Sequence, residues 1–505
     1  MFQLKRKLGN IRIGLMRING KSADTPCFFA TSDFGGGGTN VSRLLVYSDL
    51  FIETKSHLLM NYYYLDINSD LNPRFDTALI KELPKFKDIN EFIQYIKKTY
   101  LNASPKKSIS TFIYKPSKKW RPVILLDSGS GNILRGKIKR KELTNKNYKS
   151  EYTQLINDYF EFAVSNKFDI LVAMDFAGKN TLKAGEMGDK DYVAGIMEFS
   201  SNEKNFELLK LTLDYMRDKK PDINVLAPIH GNSPTEYGEY MQNILEIEKK
   251  EKFKFSGVAI GGLGNPNKIN KTVWNISEES NGKVKAALYL MKVASIIREI
   301  LEKEEDARPI HILGSAAPYN LIPLIFVGCD TFDCHSAWRR ASDGNELSKE
   351  CVFDEKKLKE YLKDKQTVSF SKLLVPLLNV ELQPIEENKN EFLEFIDINE
   401  YNFKCNCRVC NSISVNDLKK LYCGNQEENY YAKVLIYLHN VLQYDYICEK
   451  FRTFKNVNEF QNFIGSLPEC TFKANMKEVM FPPNKGDLVF DPFSGSGGAK
   501  LSNFF

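Results

Sequence analysis

The residue types with the most specific spacing in this chain are three cysteines and a histidine. Cys405, Cys407 and Cys410 form a Cys-x-Cys-x₂-Cys pattern, and His439 follows in a helical stretch. Three thiolates at this spacing can approach one ion from a single turn, and an imidazole completes the tetrahedral Cys₃His set that suits zinc. The pattern therefore predicts a bound zinc ion. The alternative is a catalytic thiol or redox pair, which needs exposed cysteines of low pKa, and no sequence feature indicates them.

Carboxylates and glycines follow several apolar runs in the first two thirds of the chain. Asp127 and Asp175 each come directly after such a run, and Asp333 follows another. In a parallel barrel the chemistry lies at the carboxyl ends of the strands, where these residues would meet. The alternative for any one motif is an aspartate that caps the next helix or a glycine turn. The motifs are Asp127-Ser128-Gly129, Asp175-Phe176-Ala177-Gly178, Gly261-Gly262-Leu263-Gly264 and Phe332-Asp333-Cys334.

The elements that must position these residues alternate between strand-like and helical patterns. Such alternation predicts an α/β fold with a parallel sheet covered by helices. The number of units between about Leu15 and Arg340 favours a closed (β/α)₈ TIM barrel over an open sheet, although periodicity alone does not separate the two. The strand-like runs are 124–126, 170–174, 225–227, 258–260, 310–313 and 327–331, and the helical stretches are 151–165, 205–218, 237–251 and 283–303.

The same pattern divides the chain into four segments. We expect residues 1–342 to hold the first part of the catalytic barrel and the charge-rich residues 343–400 to form an insert or linker. The zinc-binding subdomain is expected at 401–450, followed by a C-terminal extension at 451–505. The structural zinc-binding subdomain would thus be appended to, or inserted in, the barrel.

The composition is typical of an enzyme-sized globular protein, with 505 residues of which 43% are apolar. No run of about 18 apolar residues occurs, and the basic start of the chain lacks the apolar stretch of a signal peptide. Ten cysteines are too sparse for a disulfide scaffold and favour a reducing cytoplasm. The net charge of +6 permits a polyanionic partner and equally suits an ordinary enzyme. We therefore expect a soluble, cytoplasmic enzyme without a membrane segment.

In their order along the chain, the motifs resemble those of the tRNA-guanine transglycosylase family over roughly residues 10 to 445. The stretch 121–129 resembles the family's strand ending in Asp-Ser-Gly-Gly, and 328–334 is similar to the strand whose Phe-Asp-Cys supplies the nucleophile. Between them, 173–175 resembles the strand end with the base-reading aspartate, 229–231 the Val-Gln-Gly segment, and 261–263 the Gly-Gly-Leu turn. The cysteine pattern stands at the family's place after the barrel, which implies that the zinc is structural.

The resemblance implies a base exchange that leaves the nucleic-acid strand intact. The base must be displaced at the sugar C1′ while that carbon is held covalently, which requires a carboxylate nucleophile and a separate proton carrier. The resemblance assigns these roles to Asp333 and Asp127, respectively. Two carboxylates near one site also shift each other's pKa values apart, so that one stays ionised while the other carries a proton.

The resemblance also implies how a guanine base is bound. A guanine edge presents N1–H and 2-amino donors beside the O6 acceptor, and the Asp175 carboxylate and the Gly262 N–H complement it. His230 stands where the family has a glutamine directed toward O6, and an imidazole donates one hydrogen bond where the amide could donate and accept. The remaining substrate-binding residues implied in this way are Ser128, Gly261, Leu263 and Arg339.

Besides His230, two segments depart from the family's pattern. Gly131 stands where the family has the aromatic residue that stacks on the base. After the nucleophile, the family's Pro-Thr-Arg segment is replaced by 336–340, in which Arg339 falls at the matching position. Arg339 and Arg340, together with Trp338, could contact phosphates and stack a flipped neighbouring base. The alternative is that Trp338 is buried at the barrel rim and that the two arginines are solvated.

The segment 486–498 looks like the strand and glycine-rich loop by which DNA amino-methyltransferases bind S-adenosylmethionine. Only seven residues follow Gly498, so the segment is either a vestige, a truncated fusion or a structural turn, or else a contact for a cofactor or partner. With the departures above, it favours the DNA-modifying branch of the family, the DNA 7-deazaguanine transglycosylases. The resemblance to that branch implies insertion of a 7-cyano-7-deazaguanine precursor and an ATP-hydrolysing partner, neither of which is indicated by a residue of this chain.

Two alternatives to DNA exchange remain. One is exchange in tRNA, of the queuosine or archaeosine type. The other is a nucleic-acid-binding barrel that lost catalysis through the changes at Gly131 and His230. Because both Asp127 and Asp333 are present, the enzyme is favoured over the inactive barrel.

Overall fold

The structure is a computed structural model, and twelve segments of the chain are described. Gly262, Leu263 and Arg339 lie outside the described residues, as do the Cys405 side chain and the segment 486–498. The described segments are 2–32, 54–65, 122–176, 190–261, 282–316, 318–337, 380–381, 404–405, 407–414, 417–418, 421 and 426–465.

A three-stranded antiparallel sheet precedes the barrel, formed by β1 (Phe2–Leu8), β2 (Ile11–Ile18) and β3 (Lys21–Thr25). The strand β2 is central and buried along most of its length, whereas β1 alternates between partly buried and exposed side chains. This alternation is typical of a strand with one solvated face. The sequence analysis did not anticipate this sheet.

Eight parallel strands then close into a barrel, and this confirms the predicted (β/α)₈ fold. The ring closes where the first strand of the barrel pairs in parallel with the last, Phe29 lying opposite Asp333. The strands are β4 (Cys27–Ser32), β5 (His57–Asn61), β6 (Ile124–Asp127), β7 (Ile170–Val172), β8 (Asn224–Ile229), β9 (Gly257–Ile260), β10 (Ile310–Ile312) and β11 (Thr331–Cys334).

The last barrel strand begins later than the apolar run predicts. Residues 327–330 connect a helix to β11, so that Asp333 lies within the strand instead of after it. The connection turns at Gly328, whose φ of +89° lies in the left-handed region that favours glycine. A Cβ at this position would also lie 2.9 Å from the Asn10 carbonyl oxygen.

Side chains along the barrel strands alternate between two apolar clusters. Phe29, Leu59 and Leu125 belong to one cluster, which also contains Met16 of the antiparallel sheet. Their strand neighbours, such as Leu126, pack in the larger cluster that includes the surrounding helices. Because successive side chains of a strand point to opposite faces, the first cluster fills the barrel interior and the second lies between barrel and helices.

The antiparallel sheet covers the amino-terminal end of the barrel. Lys21 Nζ of β3 lies 2.7 Å from Oδ2 of Asp169, the residue directly before β7. Arg12 of β2 lies 3.1 Å from the carboxylate of Asp330, the residue directly before β11. The carboxyl ends of the strands, where the predicted site residues lie, form the opposite end, here called the mouth of the barrel.

Helices connect the barrel strands and continue after them. Several begin at residues suited to capping: the Ser201 and Ser233 side chains each accept a backbone N–H bond from the first turn of their helices. The helices are α1 (Tyr62–Leu65), α2 (Ser130–Lys139), α3 (Tyr148–Ser165), α4 (Lys190–Phe199), α5 (Asn202–Lys219), α6 (Pro234–Glu251), α7 (Gly282–Lys303), α8 (Pro318–Phe326), α9 (Arg408–Ser412), α10 (Gln426–Thr453) and α11 (Val457–Gly465), and two short strands are β12 (Val380–Glu381) and β13 (Lys404–Cys405).

The helix α10 packs against the barrel at the seam between its first and last strands. Tyr444 stacks on Phe28 of β4 with ring centroids 4.1 Å apart, and its hydroxyl oxygen accepts a hydrogen bond from Cys334 Sγ at 3.1 Å. Tyr437 donates a 2.8 Å hydrogen bond to the carbonyl oxygen of Thr31. The Thr31 hydroxyl in turn donates to the carbonyl oxygen of Cys334. The helix therefore supports the strand that carries Asp333.

Within the described part of the chain, no helix combines the length and the apolar character needed to cross a membrane.

Candidate active site

Asp127 is the last residue of β6 and lies beside Asn61, the last residue of β5, with which it is in register. Asn61 Nδ2 donates a 2.8 Å hydrogen bond to Asp127 Oδ2. Part of the Asp127 side chain remains exposed, but loss of hydration, reinforced by the nearby Asp175 and Asp333 charges, raises its pKa to about 7. Three of the predicted carboxylates therefore meet at the mouth of the barrel, and one of them titrates near neutral pH.

The turn from β6 into α2 depends on Gly129. Its φ of +65° lies in the left-handed region, and a Cβ there would lie 2.6 Å from the Cβ of Tyr63. The turn brings Ser128 and Ser130 together, with their hydroxyl oxygens 2.8 Å apart and both side chains buried. Gly131 lies in the first turn of α2, and its carbonyl oxygen accepts a 3.0 Å hydrogen bond from Arg135 Nε.

Asp175 follows β7 by three residues and is 7% exposed. Its two carboxylate oxygens are held from different sides, Oδ1 by the Ser130 hydroxyl and Oδ2 by His230 Nε2. The structure thus links two predicted base-binding residues directly, in a chain that runs from Ser128 through Ser130 and Asp175 to His230. The sequence analysis named neither the Asp175–His230 contact nor Ser130, because both depend on the distance between β7, β8 and the β6 turn.

His230 follows β8 and is buried next to Gly261, which follows β9. A Cβ at Gly261 would lie 3.0 Å from His230 Cε1, so a larger residue would push the imidazole. The Gly261 carbonyl oxygen accepts a 2.8 Å hydrogen bond from Tyr237, which holds this strand end. Within the described residues, no hydrogen-bond partner of His230 Nδ1 is present. This nitrogen is itself buried, so within the described residues the hydrogen bond that holds the imidazole is the one from Nε2 to Asp175.

Asp333 lies inside the mouth on β11 and is 2% exposed. Its Oδ1 accepts a 2.9 Å hydrogen bond from the Gly314 N–H and lies 3.1 Å from His311 Nε2 of the neighbouring β10. The other nitrogen of His311 lies 2.9 Å from Thr331 Oγ1. The sequence analysis missed His311, although one polar residue between Ile310 and Ile312 of a strand-like run indicates an inward-facing position.

A second cluster lies outside the barrel, where α9 meets α10. The sulfur atoms of Cys407 and Cys410 each lie 3.3 Å from His439 Nδ1, and the three ligand atoms are within 4.8 Å of one another. Ligands about 2.3 Å (sulfur) and 2.0 Å (nitrogen) from a tetrahedral ion are themselves about 3.5 Å apart, which matches these distances. The three residues could hold a metal ion. Cys405 lies in β13, and its side chain is outside the described residues.

The arrangement at the mouth is suited to displacement at a carbon followed by proton transfer. Asp333 accepts hydrogen bonds on one oxygen, while Asp127, with a pKa of about 7, can both donate and accept a proton near neutral pH. Asp175 presents a carboxylate supported by two side chains. Of the predicted substrate-binding residues, the structure brings Ser128, Asp175, His230 and Gly261 to this mouth.

A search of curated proteins finds no match to this chain. A sequence model of the family described as queuine tRNA-ribosyltransferase matches residues 8–469 of the 505. This match includes the barrel and the cysteine and histidine cluster. The chain therefore belongs to the queuine tRNA-ribosyltransferase family, a family of guanine transglycosylases that act on nucleic acid.

Proposed function

We propose that this protein exchanges guanine in DNA for a 7-deazaguanine base, such as 7-cyano-7-deazaguanine, through a covalent bond between Asp333 and the sugar. The observation that carries the proposal is the meeting of Asp127, Asp175 and Asp333 at the carboxyl end of one barrel, close enough that the last two raise the pKa of the first. Each of the three has a different set of hydrogen-bond partners, and different partners suit different tasks.

In the proposed reaction a carboxylate oxygen of Asp333 attacks the sugar C1′ as the bond from C1′ to guanine N9 breaks. The electron pair goes to the departing guanine, and Asp127 supplies the proton that this base takes up. The incoming base then loses its N9 proton to Asp127 and attacks C1′, and the bond from C1′ to Asp333 breaks. A proton carrier with a pKa of about 7 is suited to both directions near neutral pH.

Base binding is assigned to Asp175, with His230 and the turn at Gly261 beside it. Each oxygen of a carboxylate has two lone pairs, so Asp175 can keep its bonds to Ser130 and His230 while accepting N1–H and 2-amino bonds from a guanine edge. We further assign Gly262 and Leu263, together with Arg339, to substrate contacts from their places in the family's motifs.

The preference for DNA rests on sequence features. Gly131 lacks the aromatic side chain that stacks on the base in the tRNA enzymes, the segment after Asp333 is altered at 336–340, and 486–498 resembles a DNA methyltransferase loop. The second candidate substrate is tRNA, which is favoured by the name of the matching family. An ATP-hydrolysing protein is the partner proposed for the DNA reaction.

The test is a release assay with two polymers. Purified protein is incubated with 7-cyano-7-deazaguanine and with DNA or tRNA that contains labelled guanine. Each reaction is run once with the purified protein alone and once with an added extract of cells from the source organism and ATP. Loss of label from DNA supports the proposal, and loss from tRNA alone would assign the second substrate. If folded, metal-loaded protein releases no label from either polymer in either setting, the proposed exchange is wrong.

Replacing Asp175 with alanine is expected to weaken use of guanine-like bases by about 2–4 kcal/mol of transition-state binding, which is about 30- to 1000-fold in kcat/KM. The variant loses the carboxylate that meets the amidine edge and also leaves Ser130 and His230 without their shared partner. The matched control is Ser130→Ala, which removes only one support and should cost less than tenfold. Unchanged exchange in the Asp175 variant would show that this residue does not bind the base.

We infer that the metal held by Cys407, Cys410 and His439, with Cys405 as the fourth ligand, is zinc in a structural role. Two thiolates and an imidazole within 4.8 Å form a donor set that suits zinc, and four protein ligands leave no open position for catalysis. The ion would join α9 to α10, the helix that supports the Asp333 strand through Tyr444.

The Cys410→Ser variant is expected to lose zinc and to lower the free energy of unfolding by about 4 kcal/mol or more, because metal binding contributes directly to folding. Elemental analysis and denaturant unfolding measure the two effects. Cys329→Ala serves as the matched control, since Cys329 is buried outside the cluster and its loss should leave one zinc per chain. A wild-type protein that is folded and active without zinc would contradict the assignment.

A further inference from the structure

A hydrogen-bonded chain lies behind Asp333 in the barrel interior. His311 and Thr331 are directly opposite each other on β10 and β11. His311 Nδ1 lies 2.9 Å from Thr331 Oγ1, and His311 Nε2 lies 3.1 Å from Asp333 Oδ1. All three side chains are buried, and the ring of Phe29 meets the imidazole edge-on at 5.7 Å. This packing leaves the imidazole little freedom to rotate.

The chemistry of the partners determines the direction of each hydrogen bond. An ionised carboxylate only accepts hydrogen bonds, so His311 Nε2 must donate to Asp333. In the neutral imidazole, Nδ1 then accepts, and the Thr331 hydroxyl donates to it. The Gly314 N–H donates to the same Asp333 oxygen at 2.9 Å. Oδ1 therefore has two donors, whereas no side chain or backbone group of the described residues donates to Oδ2.

We propose that His311 is a positioning residue that selects Asp333 Oδ2 as the attacking oxygen and stabilises Oδ1 when Asp333 leaves the sugar. The inference rests on the proposed function, because it assumes that Asp333 is the nucleophile. With Oδ1 engaged by His311 and Gly314, only Oδ2 is left to face the substrate carbon. Thr331 acts one step further back, since its hydroxyl selects the imidazole tautomer that donates to Asp333.

The two halves of the reaction depend differently on His311. In the first half an Oδ2 electron pair forms the bond to C1′ as the bond to N9 breaks, and the negative charge of Asp333 disappears. In the second half the bond from C1′ to Oδ2 breaks, its electron pair returns to Asp333, and the carboxylate charge spreads onto Oδ1. Preorganised donors accelerate the step in which charge develops beside them. Loss of His311 should therefore slow release of Asp333 more than attack by it.

Three replacements at His311 separate this role from simple packing. A glutamine amide reaches the position of Nε2 and can donate to Asp333, whereas an asparagine amide reaches only the position of Nδ1. We expect His311→Ala and His311→Asn to lower the exchange rate by about 10²-fold. His311→Gln should recover most of this loss. Since His311 does not contact the incoming base in this scheme, the KM for that base should stay within about twofold in all three variants.

The experiment measures exchange and covalent adduct in the same quenched samples. In His311→Ala and His311→Asn, the ratio of denaturant-resistant adduct to exchanged base should rise at least tenfold over the wild type. Thr331→Val, which keeps the shape of the side chain, should shift the ratio in the same direction by a smaller factor. This variant also provides the readout if the His311 variants do not fold, as judged by thermal unfolding.

The outcomes distinguish this inference from the proposed function. If the wild-type protein exchanges no base and forms no adduct, the proposed function fails and His311 has no such role. If the wild type is active and the His311→Ala variant exchanges base at the wild-type rate, the inference about His311 is wrong and the proposed function stands. Equal activity of the glutamine and asparagine variants would also overturn it, because a packing role does not depend on the position of the amide.

Discussion

Replacing Asp333 with asparagine should abolish base exchange and the denaturant-resistant adduct between protein and nucleic acid. The neutral amide has nearly the same size as the carboxylate but cannot attack C1′ as an anion, so a loss of about 10⁴-fold or more is expected. Asp333 lies on β11 directly before Cys334, which donates a hydrogen bond to Tyr444 of α10, and the isosteric change should leave this packing intact. Label release and denaturing gel electrophoresis measure exchange and adduct, respectively.

The matched control is Asp24→Asn, which removes an exposed carboxylate paired with Lys5 in the antiparallel sheet at the other end of the barrel. This variant should exchange and form adduct as the wild type does. Adduct trapped with the Asp333 variant at wild-type yield would show that another group attacks the sugar.

The second large effect is expected from Asp127→Asn, which removes the proton carrier and keeps the nucleophile. Exchange should slow by about 10²–10⁴-fold, the usual contribution of general acid–base catalysis. Because Asp333 is intact, adduct can still form and should persist, since deprotonation of the incoming base is also impaired. The variant therefore differs in kind from Asp333→Asn, and equal loss of adduct in both would contradict the separate roles.

The pH dependence gives an independent measure of Asp127. Its pKa is raised to about 7, first by loss of hydration and then by Asp175 and Asp333, so the neutral acid needed for guanine departure is lost as pH rises through about 7. The single-turnover rate of adduct formation should fall over this range in the wild type and lose this inflection in Asp127→Asn. An unchanged profile in the variant would assign the inflection to another group.

The same shift affects stability. A carboxyl whose pKa is raised by folding binds more protons in the folded than in the unfolded state between about pH 4 and pH 7. Across this window its contribution therefore lowers the free energy of unfolding as pH rises, and Asp127→Asn should remove that contribution. Denaturant unfolding of the wild type and the variant, measured at acid and at neutral pH, compares how steeply the free energy of unfolding changes with pH in the two proteins.

Local patterns predicted a parallel sheet covered by helices and the segments that carry its chemistry, and the number of strand and helix units favoured a closed barrel over an open sheet. Apolar runs such as 170–174 and 258–260, separated by helical stretches, predict buried parallel strands because both faces of such a strand are covered. The cysteine spacing predicted a metal site for a similar reason: Cys407 and Cys410 lie within one helical turn, so that their sulfur atoms are close through local structure.

Local patterns predicted the structure less accurately where a chain segment is irregular or where the segment that it packs against is distant in sequence. The run 327–331 was predicted as a strand, but the chain turns at Gly328 and β11 begins only at Thr331, extending to Cys334. The antiparallel sheet of β1 to β3 was not predicted either, and its role in covering one end of the barrel depends on contacts such as Lys21 with Asp169, which are 148 residues apart.

The sequence by itself therefore determined the fold class, the residue types at the strand ends and the likeness to guanine transglycosylases, because these are encoded by short-range periodicity and by motifs. Only the tertiary structure decided which side chains pair across strands. Asp175 with His230, Asp127 with Asn61, and Asp333 with His311 are each separated by 22 residues or more, and barrel closure brings them within hydrogen-bonding distance. Hydration and charge at Asp127 likewise depend on this closure, since burial and two neighbouring carboxylates set its pKa.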